Sequence, residues 1–102
     1  MATSDENGNE FDQAAQQVVE LGNRLAEQDP EADLWHIGSG LLAGAIQYWL
    51  YARQPCGDPS CETCAEINTA ERRMRVLLEE IQRVAESSEY YHAPTDANVG
   101  TA

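Results

Sequence analysis

Gln54-Pro55-Cys56-Gly57-Asp58-Pro59-Ser60-Cys61-Glu62-Thr63-Cys64 stands between two long stretches that both carry helical periodicity. Two prolines and a glycine interrupt it, residue types that end a helix or set a turn. Helices separated by such a break fold back on each other, so a helical hairpin is expected with its tip here. All three cysteines of the 102-residue chain fall in this tip.

Upstream of the tip, Leu34 to Ala52 is a run of nineteen residues without a charge. Leu34, Trp35, Ile37, Leu41, Leu42, Ile46, Trp49 and Leu50 cover nearly the whole circumference of a helix. Such a helix is buried against others or lies in a bilayer. The length suffices to span, and Gly40-x-x-x-Gly44 has a close-packing spacing. His36, Ser39, Gln47 and three glycines dilute the apolarity, however, and acids rather than bases crowd the N-terminal flank. The segment therefore reads as a buried helix, with a membrane disfavoured as partner. Asp29 is its expected N-cap, with Pro30 in the first helical position. An earlier helix from about residue 10 carries Phe11, Ala14, Val18, Leu21 and Leu25 on one stripe, weakened at Gly22.

Downstream, Asp58 is the expected N-cap of a third helix with Pro59 in its first position. Ile67, Ala70, Met74, Leu77, Ile81 and Val84 step by three and four, a heptad stripe. The expected fold class is therefore all-α: a three-helix up-down-up bundle with helices at about 10–28, 30–54 and 58–88. They form one domain, 10–93, between a disordered acidic lead, 1–9, and a disordered tail, 94–102. A chain this short buries roughly 60–70% of its unfolded surface. Its uncharged helix offers more apolar surface than two neighbours cover. Self-association is expected through residues 34–51 and the heptad face of 67–84, as a homodimer or higher helical oligomer.

Eighteen acids against six bases, all arginine, give a net charge of −12. Without a basic face there is nothing to hold phosphates, which argues against nucleic acid as a partner. A basic protein partner fits the charge; so does a solvated surface that keeps an oligomer soluble. The start of the chain lacks a basic and apolar leader, so a cytoplasmic location is expected. There, an odd number of cysteines favours reduced thiols or a metal over a disulfide framework.

The spacing Cys56-x4-Cys61-x2-Cys64 is the chemically informative pattern. With Cys61 and Cys64 one turn apart at a helix start and Cys56 across the loop, three sulfurs converge. Thiolates favour zinc first and an iron–sulfur cluster second. Both histidines are expected far from the tip, so a fourth ligand would come from Asp58, Glu62, a partner chain or water. The spacing resembles the first three ligands of plant-type ferredoxins, without the fourth.

The alternative is redox chemistry by the pair Cys61 and Cys64, with Cys56 as a resolving thiol. An all-helical setting for such a pair is similar to the alkylhydroperoxidase D-like family, where a histidine follows the second cysteine by one turn. That position is Asn68 here, and the uncharged helix lacks the family's glutamate, so the resemblance is confined to one motif. Thiol–disulfide or peroxide-linked chemistry is the enzymatic option that remains, since no hydrolase triad, phosphate loop or di-iron motif is present. The third option is a plain helical interaction protein whose thiols are inert.

Overall fold

The computed structural model describes residues 9–96. Among them are three α-helices and no strand: α1, Asn9–Gln28; α2, Leu34–Ala52; and α3, Ala70–Glu86. A short 3-10 turn, Ala65–Ile67, precedes α3. The expected disordered lead and tail lie largely outside the described residues. Asn9 opens α1, and residues 93–96 close a turn in which the Asp96 carboxylate accepts from Ala93 N–H at 2.8 Å.

The chain divides into two compact units, with the boundary between Trp49 and Leu50. In the first, α2 lies against α1 at Gly22. A Cβ placed there would stand 2.9 Å from Leu41 Cδ1 and 3.9 Å from Ile37 Cγ2. The glycine that weakens α1 is thus the one that admits α2. The start of α2 corrects the expected capping. Asp29 instead closes a turn around Pro30, accepting from Glu31 N–H at 3.0 Å, while Ala32 N–H bonds to its carbonyl at 2.9 Å. Asp33 is the cap: its Oδ1 accepts from Trp35 N–H at 2.9 Å, and its carbonyl accepts from Ile37 N–H at 3.0 Å. Asp33 stands directly before the apolar run, where a cap satisfies the orphan N–H groups of the helix that forms.

The expectation that the uncharged helix is buried is not met within the chain. No residue of α2 is buried, and Trp35 is 86% exposed. No helix among the described residues is long and apolar enough to cross a membrane.

In the second unit, α3 begins twelve residues later than expected, at Ala70 rather than near Asp58. Thr69 caps it, its Oγ1 accepting from Arg72 N–H at 3.1 Å. The reason lies in residues 58–69. The Asp58 carboxylate and the Thr69 hydroxyl accept from nearby backbone N–H groups, which competes with helical pairing through this stretch. Leu77 is the one buried residue among those described, and Arg73, Val76 and Glu80 beside it are partly buried. Of the expected heptad stripe Leu77 lies at the centre of the covered face of α3 while Met74 and Val84 are exposed, so that face is shifted partly off the stripe toward Val76 and Glu80. Glu80 there pairs with Arg53 across 3.6 Å, an ion pair within this unit.

Candidate metal centre

The cysteine-bearing stretch is built from consecutive turns. Gly57 has φ +96°, a left-handed conformation that a side chain would strain. Asp58 and Pro59 then open a β-turn, in which Cys61 N–H bonds to the Asp58 carbonyl at 3.0 Å. The Asp58 carboxylate is engaged inside that turn. Its Oδ1 accepts from Ser60 N–H at 3.0 Å and from Ser60 Oγ–H at 2.9 Å, which holds its pKa below the ordinary value. A second turn follows from Glu62 to Ala65, and the 3-10 turn begins as Ile67 N–H bonds to the Cys64 carbonyl at 3.0 Å.

These turns bring together the three sulfurs expected to meet. The Sγ atoms of Cys56, Cys61 and Cys64 all lie within 4.8 Å of one another, as free thiols. Cys56 is exposed, and Cys61 and Cys64 are half-covered. The helix-start geometry expected for Cys61 and Cys64 is corrected: both sit in the turns ahead of α3, and the convergence comes from the loop. Sulfurs sharing one zinc stand ~3.8 Å apart, from tetrahedral bonds of ~2.3 Å. The cluster is therefore at most about one ångström wider than that spacing, and its three soft donors suit zinc. No histidine or carboxylate joins the three sulfurs within that distance among the described residues. His92 lies instead against the Tyr91 ring, centroids 4.9 Å apart, with Nδ1 3.9 Å from Asp96.

The thiols are not equivalent. Cys61 is shifted down, first because the Cys64 backbone N–H points at its sulfur, then because the thiols of Cys64 and Cys56 do. For Cys64, the Cys56 backbone N–H acts to lower the pKa. It is outweighed by hydrogen bonds to the other two thiols, by desolvation and by the charge of Cys56, so Cys64 is shifted up. Cys61 therefore gives up its proton more readily than Cys64.

Two arginines outside the cysteine pattern brace the turn that follows Cys64. Arg72 Nη1 donates to the Ala65 carbonyl at 2.8 Å and to Asn68 Oδ1 at 3.0 Å. Arg73 Nη1 donates to the Ile67 carbonyl at 3.0 Å. From the first turn of α3, both reach back over the turn that Cys64 begins and fix its carbonyls. The available signal was Thr69 itself: a capping residue immediately before Ala-Glu-Arg-Arg places these arginines in the first turn of a helix, beside a carbonyl-rich turn. No family model, curated protein or solved structure matches this chain.

Proposed function

We propose that this small acidic helical protein is a cytoplasmic binding or scaffold module that holds a metal ion on Cys56, Cys61 and Cys64. Zinc is the ion favoured by the donor set, with an iron–sulfur cluster second. The observation that carries this reading is the convergence of three sulfurs within 4.8 Å in a chain that has no other cysteine. Bound there, zinc would cross-link a loop that has few other long-range ties. The thiols of Cys56, Cys61 and Cys64 supply the ligands, and Arg72 and Arg73 hold the turn that carries Cys64. In the same reading, the three helices form an up-down-up bundle that associates with further copies through residues 34–51 and the heptad face of 67–84.

Elemental analysis of protein purified without chelator tests the metal. About one zinc per one or two chains is expected, and it is lost in a Cys56, Cys61 or Cys64→Ser variant. Metal-free protein whose three thiols all titrate freely would sink the proposal.

A second reading is favoured by the free, half-covered Cys61 and Cys64 side by side. With oxidised glutathione as acceptor, the two thiols lose two electrons and two protons, form one disulfide and release two glutathione thiols. A reversible Cys61–Cys64 disulfide of defined potential supports this reading. Its absence after equilibration with the glutathione couple leaves the metal reading alone.

A further inference from the structure

A structural zinc site is normally closed by four protein ligands, whereas three protein ligands leave one position for a molecule that comes and goes. The cysteine group has three. Among the described residues no histidine nitrogen or carboxylate oxygen lies within 4.8 Å of all three sulfurs. The carboxylate best placed in sequence to complete the set is Asp58, and its Oδ1 is committed to two hydrogen bonds from Ser60 that define the turn. Its carbonyl is engaged as well, accepting from Cys61 N–H at 3.0 Å in the turn that presents that cysteine. Access is not limiting either, since Cys56 is exposed.

We infer that a metal held by Cys56, Cys61 and Cys64 keeps its fourth position open to a single nitrogen or sulfur donor from another molecule. This rests on the proposed metal reading and deepens it: the site becomes one of ligand capture or metal hand-over. With a metal held by the three cysteines, solvent would supply the remaining ligand in the isolated protein. An incoming imidazole would replace it, one metal–oxygen bond breaking as one metal–nitrogen bond forms, with no change of oxidation state and with Cys56, Cys61 and Cys64 still holding the metal.

Cobalt(II) is the probe, because its spectrum reports both the number of thiolates and the fourth ligand. The full chain is loaded anaerobically and titrated with imidazole. The expected result is a thiolate-to-cobalt charge-transfer band that persists, with visible ligand-field bands that shift and saturate at one imidazole per cobalt. Asp58→Asn, which retains an oxygen for Ser60, and Glu62→Gln should both leave the starting spectrum unchanged. Bands that do not respond to imidazole would overturn the inference while leaving the metal reading intact. So would an altered starting spectrum in either variant, since the fourth ligand would then be that carboxylate. Cobalt-dependent dimerisation in sedimentation, with imidazole excluded, would also overturn it, because a second copy would then close the site. A complete absence of the charge-transfer band would overturn the metal reading itself and the open position with it.

Discussion

Cys61 and Cys64 are three residues apart, yet the loop holds their protons differently. Iodoacetamide labelling of metal-free protein, followed across pH by mass spectrometry, should show Cys61 reacting at lower pH than an ordinary cysteine and Cys64 at higher pH. The linked stability runs in opposite directions. The lowered Cys61 favours the fold above its unfolded pKa, an advantage lost as pH falls through the native value. The raised Cys64 favours the fold below its unfolded pKa and loses that advantage as pH rises through its native one. Identical profiles for the two thiols would refute the asymmetry. Gly22 makes a separate test at the same scale. Alanine there gains about 1 kcal/mol of helix propensity but must displace the Leu41 methyl at 2.9 Å. Moving that flexible side-chain end costs a similar ~1 kcal/mol in rotamer strain, so Gly22→Ala should be near neutral in urea unfolding. Gly22→Leu cannot be accommodated this way and should separate α1 from α2.

Among the elements, the 3-10 turn Ala65–Ile67 and the first turn of α3 act as one piece. Thr69→Ala should cost about 1 kcal/mol in denaturant unfolding through loss of the cap. Arg72→Ala should act differently. It frees the Ala65 carbonyl and Asn68, loosens the turn after Cys64, and should lower zinc affinity by roughly 10–100-fold, as loss of support around a ligand usually does. Helix content should remain unchanged. Competition with a chromophoric chelator and far-UV circular dichroism separate the two effects, and an unchanged affinity would remove Arg72 from the site.

This piece also marks the limit of what the sequence made legible. Charge-free and periodic segments identified all three helices, and the cysteine spacing identified the three sulfurs that meet. The start of α3 was misplaced because Asp58-Pro59 satisfies the rule for a helix start and the rule for a β-turn equally well. Hydrogen bonds from Ser60 decided between them, and they depend on geometry that no spacing records. Asp29-Pro30 misled for the same reason. The arginines were illegible because a guanidinium that pairs with carbonyls and one that pairs with solvent look alike in a sequence.

At the scale of the whole molecule, the proposed self-association has a direct test. Sedimentation at micromolar concentration should show a species heavier than one 11.3 kDa chain. A Cβ at Gly40 meets nothing within 4 Å in the chain, so Gly40→Leu should leave a single chain unharmed and even favour its helix. Weaker association in that variant would therefore report overlap with another copy. A stably folded species at the mass of one chain would refute the proposal. The burial pattern carries a calorimetric consequence as well. With Leu77 alone buried among the described residues and the others half-covered or exposed, a single chain hides less apolar surface than a close-packed domain of its size. Its heat-capacity increment should then fall well below the ~1.2–1.5 kcal/mol/K usual for a domain of about 100 residues, and its transition should be broad. Diluting the protein in a calorimeter would turn a sharp endotherm into a shallow slope, so the heat capacity measures how much of the fold each chain supplies to the others.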